Sequence, residues 1–348
     1  MQGARHHIRV GVVDDSSSIR RWLRLVLDAH PNLRVVAEAG CAEEARQLIV
    51  HQRPDVLILD VDMPDMSGLE FLDRLMKRRP MPVVMFSGLT RPNSDTAIRA
   101  LSLGASDCMA KPILPGQLDE DDIRQRVMLA SQARVYSSTR SVAPASPYVG
   151  LGDDQIILVG SSTGGVTALE VLLSGLRSNI PPVVIAQHMP QRFLESFATR
   201  LRQMFPIDIA MVQDGARLQR GQIRFAHSED KKTLVSFRHG RWHTYLEPLA
   251  GGENHVPAVD DLFQSAVGQG RLVGAAIMTG LGADGAQGLK ALREAGATTV
   301  GQSAETCAIY GMPKAAKAAG GVMKEVPLSD MAKTLLSLMA QRSVKQVT

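Results

Sequence analysis

Ile156-Ile157-Leu158-Val159-Gly160-Ser161-Ser162-Thr163-Gly164-Gly165 carries an architecture and a chemistry together. The run from Ile156 to Gly160 has no alternation of apolar with polar residues, so it reads as a strand buried on both faces. That is the habit of parallel sheets covered by helices. The strand passes straight into the serine-glycine loop and then into the helix-like stretch Thr167 to Leu173, which sets a hydroxyl at a strand-to-helix turn. Glycines there let the backbone fold sharply and approach a substrate, and amides at a helix start stabilise an oxyanion. Gly160-x-Ser162-x-Gly164 fits the nucleophile-elbow spacing. Taken alone, the same loop suits a bound phosphate or a plain tight turn equally well.

The same rhythm extends outward on both sides. Pro182–Gln187, Ile223–Ala226 and Leu272–Thr279 follow as strands with long glycine-rich connections, and a second set precedes it: Ile8–Val13, Leu33–Ala39, Val56–Asp60, Val83–Ser87 and Cys108–Ala110. Each of the earlier strands is followed by a candidate helix, so they predict a doubly wound α/β sheet of five parallel strands with ligands gathered at the strand carboxyl ends. Between the sets the pattern dissolves into Ser137-Ser138-Thr139, Ala143-Pro144-Ala145-Ser146-Pro147 and Gly150-Leu151-Gly152, which is linker chemistry. The expected organisation is a domain over 1–130, a linker over 131–153 and a second, Rossmann-like α/β domain with a mostly parallel sheet over 154–345.

Composition agrees with two ordinary cores. The chain has 348 residues, 45% hydrophobic and 21% charged, and no run of about twenty apolar residues to span a bilayer. Met1 to Arg9 lacks the apolar stretch of a secretory signal, so no membrane insertion and a cytoplasmic location are expected. Cys41, Cys108 and Cys307 lie far apart and form no C-x-x-C pair, so they read as buried small hydrophobes. A net charge of +4 without a basic block implies no nucleic-acid partner.

Two constellations carry chemistry. Asp14 and Asp15 end the first strand, Asp60 the third and Ser87 the fourth, while Lys111 follows the fifth; all fall on one sheet edge. Carboxylates gathered this way repel unless a hard cation such as Mg²⁺ takes them as oxygen ligands, and cation and ammonium together stabilise a transferring phosphoryl group. Asp15 has a plainer reading as the cap of the helix opening in Ser16-Ser17-Ser18. In the second domain His188 closes the strand after Ser162, and Asp284 sits in the turn Thr279-Gly280-Leu281-Gly282-Ala283-Asp284-Gly285. Parallel topology brings the three together, and a serine needs such a base and carboxylate to act as a nucleophile. The order Ser, His, Asp is not that of the α/β-hydrolases.

Val12-Val13-Asp14-Asp15-Ser16, Leu59-Asp60-Val61-Asp62-Met63-Pro64, Ser87 and Lys111-Pro112 together resemble the receiver domain of two-component response regulators, a flavodoxin-like fold. The resemblance implies that Asp60 accepts phosphate from a histidine kinase. It implies too that Asp15, Asp60 and the Asp62 carbonyl hold Mg²⁺ with Asp14 acting through water, and that Ser87 and Lys111 contact the phosphoryl oxygens. Cys108 departs from the pattern, standing where many receivers carry an aromatic switch residue. Gly160–Gly165, Gln187-His188-Met189-Pro190, Pro257-Ala258-Val259-Asp260-Asp261-Leu262-Phe263, Thr279–Gly285 and Tyr310-Gly311-Met312-Pro313 resemble the CheB-type chemotaxis methylesterases over about 154 to 340. Leu281 replaces a common methionine, and Phe225-Ala226-His227-Ser228 a more usual turn.

What the two resemblances imply is hydrolysis of γ-glutamyl methyl esters on chemoreceptors by Ser162, His188 and Asp284, with glutamine deamidation by the same acyl chemistry and no cofactor in the second domain. Amides at Thr163, Leu281 and Gly282 are the oxyanion candidates. The first domain is expected to obstruct the Ser162 groove until Asp60 is phosphorylated. The competing reading is a response regulator whose second domain is a non-catalytic nucleotide- or phosphate-binding or docking module; a DNA-binding regulator ranks below it. His255 is a candidate groove residue, better read as an exposed loop histidine. His227 and His243 carry no assignment, and Cys307 reads as core.

Overall fold

The computed structural model describes residues 7–87, 91–111, 120–134, 151–176, 179–249 and 258–345. The chain divides into two compact units, Met1–Ser138 and Thr139–Thr348. His255 and Pro257 lie outside the described residues, as do most of the anticipated linker and the side chain of Ser87.

In the first unit β1 (Ile8–Val13), α1 (Ser17–Asp28), β2 (Leu33–Ala39), α2 (Ala42–Gln52), β3 (Val56–Asp60), α3 (Gly68–Arg78), β4 (Val83–Ser87), α4 (Arg91–Ser102), β5 (Asp107–Ala110) and α5 (Glu120–Ser131) alternate strictly. The strands form a parallel sheet in the order β2-β1-β3-β4-β5. The unbroken apolar runs follow from burial on both faces: Val10, Val12, Val56 and Ile58 enter one core layer, while Val13, Leu57 and Leu59 enter the other. Each such side chain contributes about 1.5–3 kcal/mol on burial, which is what fixes register against a one-residue slip. The strand order reverses at β1, whose neighbours are β2 and β3, so a crevice opens at the carboxyl ends of β1 and β3. Asp14 and Asp60 stand there. α1 is capped by Ser16, whose Oγ accepts from the Ile19 N–H at 3.4 Å, and not by Asp15.

The second unit runs β6 (Ile156–Ser161), α6 (Gly165–Ser174), β7 (Val183–Gln187), α7 (Gln191–Met204), β8 (Asp208–Met211), β9 (Gln222–Phe225), β10 (Lys231–Arg238), β11 (Arg241–Pro248), α8 (Val259–Ser265), β12 (Val273–Ile277), α9 (Ala286–Glu294), β13 (Thr298–Gln302), α10 (Met312–Ala318), β14 (Lys324–Val326) and α11 (Met331–Lys345). Among the described residues the main sheet has the order β14-β13-β12-β6-β7-β9-β8, with every pairing parallel. From β6 the chain builds outward through β7, then returns to the other side of β6 with β12. The carboxyl end of β6 is therefore a second switch point. All six residues of β6 are buried, as its sequence demands.

β10 and β11 form an antiparallel hairpin outside that sheet, closed by His239 and Gly240 at φ 49° and 72°. Two consecutive positive φ values make the type I′ turn that matches strand twist. The hairpin is anchored by Trp242, 2% exposed, whose Nε1–H donates to Asp154 O at 2.7 Å. It also holds α8, because the Val235 N–H donates to Ser265 Oγ at 2.9 Å.

Several local expectations change. The strand read as Leu272–Thr279 is only Val273–Ile277, preceded by a 3₁₀ stretch, and β5 begins one residue earlier than Cys108. Of the cysteines only Cys307 is fully buried; Cys41 and Cys108 are half-exposed. Among the described residues no helix is long and apolar enough to cross a membrane.

Candidate active site

β6 and β7 are paired with Ser161 opposite Gln187, and the His188 N–H donates to Ser161 O at 3.0 Å. Ser162 and His188 are thus the first residues beyond two neighbouring strands. Ser162 is fixed from the other side as well, its N–H donating to Thr279 O at 3.0 Å just past β12. The loop can turn there because Gly164 takes φ 77°, a left-handed conformation that a side chain would strain.

His188 Nε2 lies 2.7 Å from Asp284 Oδ2. Both side chains are largely shielded, at 18% and 14% exposure. Asp284 is held by more than the histidine: its Oδ2 accepts from the Val259 N–H at 2.8 Å and its Oδ1 from the Asp260 N–H at 2.9 Å. Burial pushes this carboxyl up, but the His188 hydrogen bond and the two amides of α8 outweigh it and hold the group below the usual carboxylate range. Asp284 is therefore an anion seated on the first turn of α8 and aimed at the imidazole. Val259 and Asp260, within the motif quoted from sequence, supply the amides. Nothing local marks that role, since α8 meets the Asp284 turn only in the folded chain.

The rest of the loop cluster is pinned by buried polar side chains that sequence reasoning passed over. Thr279 Oγ1 donates to Thr163 O at 3.0 Å and accepts from the Ile309 N–H at 2.9 Å, and the Thr279 N–H donates to Gln302 Oε1 at 2.8 Å. Gly280 O accepts from both Gly311 and Met312. Leu281 and Gly282 are exposed at the mouth of this cluster, Leu281 at 38%. Thr163 is half-buried. His227 follows β9, one strand beyond His188 in the sheet.

In the first unit Lys111 Nζ lies 2.8 Å from Asp14 Oδ2 and 2.7 Å from Asp60 Oδ2, with both carboxylates 1% exposed. Burial raises the Asp60 pKa, Lys111 opposes this and Asp14 adds to it, leaving the group above its ordinary value. For Lys111 burial works downward and is overcome by its bonds to Asp14 and Asp60, so the ammonium is held charged. Asp14, Asp15 and Asp60 bring carboxylate oxygens within 4.8 Å of one another, and Asp60 Oδ1 is buried without a hydrogen-bond partner among the described residues. An orphaned buried oxygen beside two further carboxylates fits a hard divalent cation. Arg20 of α1 was not foreseen: its guanidinium donates to Asp14 O at 2.6 Å and to Asp15 O at 3.1 Å, fixing the acidic turn.

A doubly wound sheet with an acidic pocket, followed by an α/β unit with a histidine–carboxylate pair beside a serine loop, defines a response regulator with an α/β effector domain. The chain matches the response regulator receiver domain over residues 10–121 and CheB methylesterase over residues 157–335. It is 41% identical over 344 residues to the protein-glutamate methylesterase/protein-glutamine glutaminase of Agrobacterium fabrum, covering 96% of this chain and 97% of that one. It is 42% identical over 343 residues to protein-glutamate methylesterase/protein-glutamine glutaminase 2 of Pseudomonas aeruginosa, covering 96% and 98%. The crystal structure of the Thermotoga maritima CheB methylesterase catalytic domain superposes with a TM-score of 0.50 at 30% identity, over 53% of this chain and 98% of that one. The chain belongs to the CheB methylesterase family.

Proposed function

We propose that this chain hydrolyses glutamate methyl esters on chemoreceptors, and deamidates glutamines by the same route, under control of phosphorylation at Asp60. The observation that carries the hydrolase reading is the His188 Nε2 to Asp284 Oδ2 hydrogen bond of 2.7 Å, made by the residue that follows β7 where that strand pairs with the end of β6 leading into Ser162.

With Nε2 engaged by Asp284, Nδ1 is the ring nitrogen that serves Ser162. It takes the hydroxyl proton as Oγ bonds to the ester carbonyl carbon, and Asp284 stabilises the imidazolium. The C–O bond to the methoxy group then breaks, and the proton held on Nδ1 leaves with methanol. Water repeats the cycle on the acyl-enzyme: His188 accepts its proton, hydroxide adds to the carbonyl carbon, and Ser162 departs reprotonated, leaving a glutamate side chain. With a glutamine the first leaving group is ammonia. Amides at Thr163, Leu281 and Gly282 are the donors for the tetrahedral oxyanion.

In the first unit Asp60 accepts the phosphoryl group from a histidine kinase. Asp15, Asp60 and the Asp62 carbonyl would hold Mg²⁺, with Asp14 bonded through water; bound there, the ion neutralises charge on the transferring group. Lys111 holds the acidic pocket together and, with Ser87, receives the phosphoryl oxygens. These partners assign the protein to the cytoplasm.

The test is methanol release from methylated receptor, with and without a small phosphodonor. Ser162→Ala is expected to abolish release while Asp60 still takes up phosphate. Turnover by Ser162→Ala equal to the parent removes the nucleophile assignment and leaves a docking or phosphate-binding module.

A further inference from the structure

Gln187 is 2% exposed and sits between the two strand ends that carry Ser162 and His188. Its Nε2 donates to Ser162 O at 2.9 Å and to His188 O at 3.2 Å, while its Oε1 accepts from Ser161 Oγ at 2.6 Å. The amide orientation is forced, because a flipped group would set an oxygen against two carbonyls. A side chain with both donors and its acceptor committed to the backbone and neighbour of a reactive serine is too expensive a buried group for packing alone. Gly165 leaves the room it needs: a Cβ there would stand 2.0 Å from Gln187 Oε1.

The consequence lies in the peptide plane. Ser162 O and the Thr163 N–H belong to one rigid trans unit and point in opposite directions. Gln187 Nε2 and the Gly165 N–H, at 2.8 Å, both hold Ser162 O inward, so the Thr163 N–H is turned the other way. The next plane is held likewise, through Thr279 Oγ1 on Thr163 O, which turns out the Gly164 N–H. Among the described residues neither of these two N–H groups has a protein acceptor.

We propose that Gln187 is a positioning residue that fixes the Ser162–Thr163 peptide plane, aiming the Thr163 N–H at the developing oxyanion while locking the His188 backbone to the serine it serves. This rests on Ser162 being the nucleophile. Since the interaction matters most as charge develops, it acts on kcat and leaves KM nearly untouched.

The test uses the full chain and two readouts: the rate at which a serine-reactive fluorophosphonate is captured on Ser162, followed by peptide mass, and kcat and KM for ester hydrolysis across pH. Gln187→Glu presents an acceptor to both carbonyls and is expected to slow capture and kcat by about 10²-fold at pH 8, in the range of losing one oxyanion donor. As pH falls the introduced carboxyl regains a proton to donate, so the deficit relative to the parent shrinks. A misfolding effect would not follow that titration. Ser161→Ala, a smaller change that frees Gln187 Oε1, is expected to lower kcat by roughly fivefold, the scale of one lost hydrogen bond. It decides the matter if Gln187→Glu fails to fold. Capture at Ser162 as fast in the variants as in the parent, a loss confined to KM, or a Gln187→Glu deficit that stays flat across pH, overturns this inference alone. Capture on another residue of the parent overturns the nucleophile assignment and this inference with it.

Discussion

Asp284 and Asp260 cap each other's helices. Asp284, just ahead of α9, accepts the first amides of α8, and Asp260, in the first turn of α8, accepts the Gly288 N–H of α9 at 2.6 Å through its Oδ1. The exchange draws two carboxylates together. For Asp260 burial is the largest influence and the Asp284 charge adds to it; the amides of α9 offset only part, so this carboxyl rises above its ordinary range while Asp284 falls below it. One charge serves His188, and the other is tolerated for the sake of the helix.

Asp260→Asn and Asp260→Ala should therefore part company. Asparagine keeps an acceptor for Gly288 and removes a charge beside Asp284, so thermal unfolding of the second unit is expected within about 0.5 kcal/mol of the parent, the usual range for a change that breaks no buried interaction. Alanine loses the cap and should cost about 1 kcal/mol. Calorimetry at neutral pH reads both, and an asparagine variant as unstable as the alanine one would refute the exchange.

Asp284→Asn keeps an oxygen for one α8 amide but supplies no charge to the imidazole. Loss of about 10⁴-fold in kcat is expected, the scale seen when a triad carboxylate is made neutral. The same residue sets a pH dependence. A carboxyl whose folded pKa lies below its unfolded value stabilises above the ordinary carboxylate range, and that stability is lost as pH falls through the folded pKa. Asp260, shifted the other way, contributes at low pH instead. Melting of the second unit followed down the acid range should thus fall more steeply in the parent than in Asp284→Asn. Parallel curves would remove Asp284 as the source.

How much of this was legible depends on what kind of burial a residue undergoes. β1, β3 and β6 declare themselves because both their faces are covered, and so do their carboxyl ends, where Asp14, Asp60 and Ser162 stand. β13 does not, since Thr298 and Thr299 look polar; they are buried because partners such as Gly321 O, which accepts from Thr299 Oγ1 at 2.7 Å, exist only in the folded chain. The β10–β11 hairpin was readable in retrospect from Arg238-His239-Gly240-Arg241, a two-residue turn between alternating strands. In sequence Gln187 reads only as the last residue of a strand, ahead of His188. Its bonds cross from β7 to β6, and one-dimensional spacing holds no trace of them.

The cysteines offer a labelling test. Burial, with the Asp107 charge adding to it, pushes the Cys108 thiol up to about 12, and Cys307 is 1% exposed with its Sγ directed at Gln302 O. At pH 8 a thiol of that pKa is about one part in 10⁴ thiolate, the reactive form. Iodoacetamide should then modify Cys41, half-exposed before α2, and spare the other two until the chain is unfolded. Rapid native alkylation of Cys108 would contradict its placement against the core, in register with Met85.

The acidic pocket makes the last prediction, which separates metal binding from phosphorylation. Asp14 and Asp60 share the Lys111 ammonium, so the pocket is partly neutralised, but Asp15 has no part in that bridge and Asp60 Oδ1 is buried with no hydrogen-bond donor among the described residues. Added Mg²⁺ should therefore stabilise the first unit without any phosphodonor, by about 1.4 kcal/mol at ten times its dissociation constant. Asp15→Asn removes an exposed carboxylate that makes no ion pair among the described residues, so it should leave melting in chelator unchanged while abolishing the Mg²⁺ response. A variant that keeps the full response would exclude Asp15 from the ligand set, and one that melts lower in chelator would assign Asp15 to the fold instead of the metal.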